Sequence, residues 1–288
     1  MKAQSDVQSQ KSFQYQKLEW VGMTQIQTAI RVTSKEGLDL GLPALLDIGV
    51  DLAENNRGIH MSRLYRLQQE QILNHPLSTS RLSRFADACL ESQRELSQTF
   101  ACKLKLSWPV QTRSLKSNLA GFRNYPVSVI FEKSPGSEKM WLQVEVLYSS
   151  TCPQSASLSM EIFKNQNGPI ERFPATPHAQ RSRAVVQVQL AEIDHLVIEN
   201  LIEVIEHALG TPVQTTVKKE DEMKFAELNA QNLMFCEDAA RKISTVLEGR
   251  LELSGFSIYC EHQESLHPHN ASSLKRHHFL SPESLRFD

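Results

Sequence analysis

The sequence predicts an α+β protein, and three observations lead there. Long runs alternate apolar with polar or small residues, as half-buried strands do. Two of them, Tyr125 to Lys133 and Lys139 to Ser149, flank Ser134-Pro135-Gly136-Ser137 and read as a hairpin. Apolar stripes at helical spacing then follow one another, without the strict strand–helix–strand alternation of a doubly wound sheet. Neither a GxGxxG nor a P-loop signature occurs, which argues against a Rossmann or Walker phosphate site.

Taken in order, residues 1–16 are polar and rich in Gln and Ser, and are expected as a flexible tail. Trp20, Gly22, Thr24, Ile26, Thr28, Ile30 and Val32 share one parity and predict a long strand. A turn-rich segment from Ser34 to Gly41 leads to a second strand, Leu42 to Leu52, and Asn55 to Arg63 is a turn presenting His60 and Arg63. Ser78 or Thr79 caps a helix whose face is Leu82, Phe85, Ala86, Cys89, Leu96 and Phe100, interrupted only by Gln93. Cys102, Leu104, Leu106 and Trp108 alternate with Lys103, Lys105 and Ser107 as a half-buried strand, and the hairpin comes next.

Beyond the hairpin, Ser155 to Arg181 holds Pro, Asn and Gly with weak periodicity, and reads as largely irregular with one helical turn at Ser157 to Phe163. Val186, Val188 and Leu190 mark another strand. Asp194 caps a helix with the stripe Val197, Leu201, Val204, Ile205 and Ala208, stopped by Gly210 and Pro212. A polar link, Lys218 to Glu222, precedes a second helix from Asn229 to Glu248 with Cys236, Ala239, Ala240, Ile243 and Leu247 inward. The last strand, Leu251 to Cys260, has Gly255 at a bulge position, and His277-His278 lies in a polar tail. The halves resemble a degenerate duplication, which divides the chain into 17–150 and 151–275 with a tail at 276–288.

A chain of 288 residues can bury a large core, and its net charge of -2 excludes a broad electrostatic grip on nucleic acid or an acidic membrane. A local basic pocket for a phosphate-bearing small molecule remains compatible with that charge. Five cysteines without a CxxC pair give neither a disulfide framework nor a zinc ribbon, and no run reaches the length of a membrane span. A reduced cytoplasm is the expected location.

The candidate chemistry is concentrated where strands end. Glu261, His262, Glu264, His267 and His269 follow the last strand directly, as a proton-transfer or metal-ligand cluster or as a solvated strand exit. Cys152 ends another strand, because Pro153 stops the ladder, and its polar flanks suit a ligand or nucleophile better than a buried hydrophobe. His178 precedes a strand; a thiolate and a neutral imidazole suit a borderline metal such as zinc, iron(II) or manganese. Arg181 and Arg183 offer donors for phosphate or form a solvated basic loop. Glu222 belongs to a charge run of the kind that is ordinarily a solvated linker. Glu237 and Asp238 suit a helix start through the macrodipole, and a carboxylate there could also grip a guanine-like edge.

Arg57-Gly58-Ile59-His60-Met61-Ser62-Arg63, Cys152-Pro153, His178-Ala179-Gln180-Arg181-Ser182, Lys218 to Glu222, Phe235-Cys236-Glu237-Asp238 and Glu264-Ser265-Leu266-His267-Pro268-His269 resemble, in order and spacing, the type IB GTP cyclohydrolases. The resemblance runs from about Leu18 to Asn270 and implies tandem tunnelling-fold domains, each an antiparallel sheet backed by helices. It implies a homotetramer with active sites at subunit interfaces, GTP as substrate, and one divalent metal per site, manganese, iron(II) or zinc, held by Cys152, His178 and Glu222. Glu237 would anchor the guanine ring. Glu264, His267 and His269 would transfer protons, and His60 belongs to a family motif. Arg181, Arg183, Lys218, Lys219 and Arg63, in that order, are candidates for the triphosphate. Other tunnelling-fold enzymes of pterins or deazapurines, and a non-catalytic GTP- or metal-binding paralogue, are the competing readings. The sequence departs from the family at Gln154, where members commonly carry a second Cys.

Overall fold

The computed structural model describes residues 11–12, 14–35, 37, 39–166, 173–190, 195–250 and 253–282. The strands are β1 (Leu18–Thr33), β2 (Asp39–Leu52), β3 (Phe100–Arg113), β4 (Ala120–Ser134), β5 (Ser137–Thr151), β6 (Ala179–Leu190), β7 (Leu253–His262) and β8 (Ala271–His277). They form one sheet in chain order, each pairing antiparallel with the next. The helices are α1 (Met61–Gln71), α2 (Thr79–Ser92), α3 (Pro153–Lys164), α4 (His195–Leu209), α5 (Lys219–Gln231) and α6 (Cys236–Glu248). Two strands, then α1 and α2, then two strands make the first half. The second repeats that order with α3 inserted between its opening strands and three helices before its closing pair.

One apolar core joins the halves. Ile30, Leu46, Leu104, Val129, Leu142, Val186 and Ile258 from the sheet meet Leu64, Phe85, Ile202, Ile205 and Ile243 from the helices. Each fully buried aliphatic side chain here contributes about 2 kcal/mol by leaving water. Polar ties cross the halves as well: Glu206 on α4 accepts from Tyr125 Oη at 2.6 Å and from Arg123 on β4, and Glu199 accepts from Trp108 Nε1 at 3.4 Å.

Several expectations need correction. The single parity of β1 breaks at a bulge, where Gln25 has φ 58° and its N–H donates to Asp47 Oδ1 at 2.7 Å. Ile26, Thr28, Ile30 and Val32 therefore face the core, while Trp20 lies with Ala101, Ile130, Trp141 and Phe279 in a separate cluster. The turn at Asn55 to Arg63 opens a helix: His60 is the N-cap of α1, which buries only Leu64 and Gln68 and so carries almost no apolar stripe. Ser78 caps α2 as expected, but the helix stops at Ser92, so Leu96 lies in the turn after it and Phe100 opens β3.

Residues 153–164 form a full helix in place of the single turn expected, and the helix expected from Asn229 to Glu248 is two helices broken at 232–235. His277 ends a strand, paired with Phe256, where a polar tail was expected. Lys11 bridges to Asn56, which ties down part of the expected N-terminal tail. The bulge beside Gly255 is present, opposite Gln189 and Leu190. The Asp194 cap lies outside the described residues.

The antiparallel register sorts the strand ends into two rims. The upper rim carries the end of β3, the β3–β4 loop, Thr151, Ala179, His262 and Ala271. The lower rim carries Leu52, Phe100 and the hairpin turn at 134–137.

Candidate active site

The end of β5 builds the first part of the upper rim. Pro153 denies the ladder its N–H and is preorganised for the first position of α3, so the strand turns into a helix with Cys152 as the N-cap. The Ser155 N–H donates to Cys152 Sγ at 3.4 Å, and the Ser155 hydroxyl accepts from the His178 N–H at 3.2 Å. Cys152 N–H donates to the His178 carbonyl at 3.2 Å. The thiol and the imidazole are thus tied together through their backbones, 26 positions apart in the chain.

Glu264 reaches the same place from the loop after β7. Its Oε2 lies 3.6 Å from His178 Nδ1, and this buried oxygen has no hydrogen-bond partner among the described residues. Ser265 Oγ donates to the Ala179 carbonyl at 3.4 Å, holding the loop on β6. His267 and His269 are exposed, with rings stacked at 4.9 Å and 11°.

His262, beneath the loop, is buried, and its Nε2 lies 2.9 Å from Tyr148 Oη. Burial pushes this imidazole down to about 4, against the opposing pull of Glu237 and Asp238. Glu237 sits on the first turn of α6, and Met234, two residues before that helix begins, donates its N–H to the Thr151 carbonyl at 3.1 Å. Its carboxyl is held below the usual range by its own backbone N–H and by the Cys236 thiol, which donates at 3.2 Å. Cys152, His178, Glu264 and Glu237 therefore belong to one rim.

Not every predicted residue joins them in this chain. Glu222 is exposed on the first turn of α5, whose far end leads to the Leu233–Thr151 bridge. At about 1.5 Å per residue the helix separates Glu222 from that bridge by roughly 15 Å. Among the described residues no three His, Cys, Asp or Glu side chains are grouped to hold a metal ion. Asp221 fixes the helix start. It is buried, and accepts from Lys116 N, Ser117 N, Ser117 Oγ and Lys218 N. Burial alone would raise its pKa, but these donors hold the carboxyl far below the usual range.

Lys218 and Lys219 are exposed at this helix start, on the β3–β4 side of the upper rim, and Arg181 is exposed at the start of β6. Arg183 is committed elsewhere, donating from Nε to Glu261 at 3.0 Å and from a terminal nitrogen to Glu145 at 3.4 Å. His60 and Arg63 stand at the lower rim: Gln93 accepts from His60 N and donates to its carbonyl, and Arg63 donates to the Ser92 carbonyl at 2.6 Å.

Sequence reasoning assigned no role to Ser155, Gln180, Tyr148 and Asp221. Gln180 stood inside a quoted motif; Asp221 was masked by the charge run around it. As a donor set, the thiol of Cys152 and the imidazole of His178, beside an unpartnered carboxylate oxygen, fit a borderline divalent ion. Glu222 does not complete that set within the chain.

A single antiparallel sheet with helices against it makes this an α+β protein, and a thiol, an imidazole and a carboxylate are gathered at one rim of that sheet. Solved structures agree on the fold: a uricase from Arthrobacter globiformis matches with TM-score 0.53 and 9% identity over 94% of this chain and 96% of its own. A uricase from Bacillus fastidious matches with TM-score 0.50 and 8% identity over 90% and 93%. The family is narrower. The model of the type I GTP cyclohydrolase FolE2 family matches residues 5–273, and the chain belongs to that family. It is 38% identical to the GTP cyclohydrolase FolE2 of Hydrogenovibrio crunogenus over 90% of this chain and 89% of that protein. The Pseudomonas savastanoi pv. phaseolicola protein of the same name is 39% identical over 89% and 91%.

Proposed function

We propose that this protein is a metal-dependent GTP cyclohydrolase of the type IB class. It converts GTP and water to formate and 7,8-dihydroneopterin triphosphate, the first step of tetrahydrofolate biosynthesis, with queuosine synthesis a further use of the product. The observation that carries the reading is the rim itself: Cys152 and His178 joined through their backbones, with Glu264 3.6 Å from the imidazole, in a chain of the FolE2 family.

Cys152 and His178 would hold the divalent ion, manganese, iron(II) or zinc, with Glu222 the third ligand that the family resemblance implies. When bound, such an ion supplies Lewis acidity and activates water near neutral pH. The residues of the chain do the rest. Glu237, ionised at the start of α6, accepts two parallel N–H bonds from the guanine edge and sets the base in register. Glu264, His267 and His269 take and return protons at the imidazole ring nitrogens as the C8 carbon is hydrated and leaves as formate. Arg181, Lys218 and Lys219 are the exposed cations of the upper rim that suit a triphosphate, whereas Arg183 already faces Glu145 and Glu261.

His60 and Arg63 stand at the opposite rim of their own chain, and Glu222 lies at the end of α5 away from the Leu233–Thr151 bridge. A homotetramer with sites shared between subunits supplies the first two. The two halves act as tandem tunnelling-fold domains, and the setting is cytoplasmic; no described helix is long and apolar enough to cross a membrane.

The test is formate release from GTP by chelator-stripped protein, with manganese, iron(II) or zinc restored separately. Restored formate release is expected. Tight GTP binding without formate under every metal would refute the catalytic reading in favour of a silent paralogue, and Gln154→Cys would then be the first reversion to make.

A further inference from the structure

We infer that Gln180 is a positioning residue: it holds the His178 ring as the Nδ1–H tautomer and leaves Nε2 as the free lone pair. The inference rests on the reading of His178 as a metal ligand, and gives that reading a mechanism. β6 alternates, and the parity that buries Ala184, Val186 and Val188 also buries Ser182 and Gln180 at the rim. Two polar side chains therefore occupy core-facing positions, together with Ser150 from the neighbouring strand, all three under 9% exposed. A buried amide or hydroxyl without partners costs about 1–3 kcal/mol, so such a group persists where its partners are supplied.

The partners form a chain. Gln180 Nε2 donates to Ser150 Oγ at 2.8 Å, and Ser150 Oγ shares a hydrogen bond with Ser182 Oγ at 2.8 Å. With its NH2 group occupied on that side, the amide presents Oε1 to His178 Nδ1 at 3.1 Å. A second acceptor, Glu264 Oε2, lies 3.6 Å from the same nitrogen. Two acceptors converge on Nδ1, so Nδ1 carries the hydrogen. The reversed amide would point NH2 at the ring and leave the Nδ1 lone pair facing a carboxylate oxygen, which is repulsive. A neutral imidazole with hydrogen on Nδ1 has its lone pair on Nε2, the only ring atom that can then ligate. Metal-binding histidines are commonly oriented this way by a partner on the other ring nitrogen. Here the partner is an amide anchored by two buried serines, so the orientation is set before any ion arrives.

The experiment uses the full chain, chelator-stripped and 15N-labelled at histidine, with His178 assigned by comparison with His178→Asn. Long-range 15N–1H correlation should show hydrogen on Nδ1 of His178. Gln180→Glu, which keeps the acceptor, should preserve that pattern; Gln180→Leu should lose it. Cobalt(II) is then titrated in, and its visible absorption gives affinity without catalysis. Gln180→Leu should bind about 10–100-fold more weakly than the parent, and Gln180→Glu within a few-fold of it. Hydrogen on Nε2 in the parent protein, or a Gln180→Leu variant unchanged in both tautomer and cobalt affinity, overturns the inference. A Gln180-dependent tautomer in a protein that binds no cobalt would uphold the positioning role and overturn the ligand assignment of His178 instead.

Discussion

His262 makes the folded state sensitive to acid in a defined window. Its ring is 2% exposed, packed edge-on against Tyr148 and hydrogen-bonded to that phenol, so it stays neutral with a pKa near 4 in place of 6.5. Below pH 6.5 the unfolded chain takes up a proton that the folded chain refuses. The stability this group contributes is therefore complete above about pH 6.5 and is lost as pH falls toward 4. From the two pKa values, the loss between pH 7.5 and pH 5 is about 2 kcal/mol, approaching about 3 kcal/mol below pH 4. Urea denaturation of the parent and of His262→Gln at both pH values measures it. The variant is expected to be weaker at neutral pH but to lose about 2 kcal/mol less on acidification. An equal loss in both proteins would refute the argument, because the acid sensitivity would then belong to other groups.

Gln93→Leu removes the amide that both donates to and accepts from the His60 backbone, at 3.0 and 2.8 Å, and should cost about 2–3 kcal/mol in urea denaturation. Phe279→Ala should cost about 2 kcal/mol and shift tryptophan emission to the red. The reason is that Phe279 and Trp20 pack against the cluster of Trp141, beside the Trp141 Nε1 bond to the Leu280 carbonyl at 2.8 Å. Cys152→Ala should abolish formate release and remove thiolate-to-cobalt absorption; substantial residual turnover would count against the assigned ligand.

Strong periodicity was legible and weak periodicity was not. Among the residues that α6 buries are Cys236, Ala239, Ala240, Ile243 and Leu247, the five positions that the spacing predicts, and Ser244 besides. α5 is a helix without an apolar stripe and α1 has only a short one: α5 buries only Asp221, and α1 only Leu64 and Gln68, whose amide donates to Thr28 at 2.7 Å. α3 buries no residue at all, so Leu158, Met160, Ile162 and Phe163 form no inward face to be recognised. β8 is held by its ladder with β7, and backbone pairing leaves no trace in side-chain pattern. The site obeyed the same logic. Strand ends with Cys152, His178 and Glu264 stood out because chemistry-bearing residues bordered an alternation. Gln180 and Asp221 did not, because a buried polar group is recognised by its partners, and those lie 30 and 104 positions away in the chain.

The two rims make subunit sharing testable without a structure of the assembly. His60 and Arg63 come after β2 at the lower rim, whereas Cys152 and His178 stand at the upper rim three strands further along the sheet. At about 4.8 Å per strand plus most of a strand length, no side chain spans that gap. If His60 acts in the reaction, it acts in the site of another copy. His60→Ala and Cys152→Ala should each be inactive alone. When the two are unfolded together, mixed in equal amounts and reassembled, each site draws its His60 and its Cys152 from different copies. Random pairing then makes roughly a quarter of the sites intact, and about that share of parent activity should return. No recovery in a verified mixed assembly would place both residues' work within one chain, against the geometry. Full activity of His60→Ala alone would remove the His60 side chain from the reaction and leave its backbone tie to Gln93 as its structural contribution.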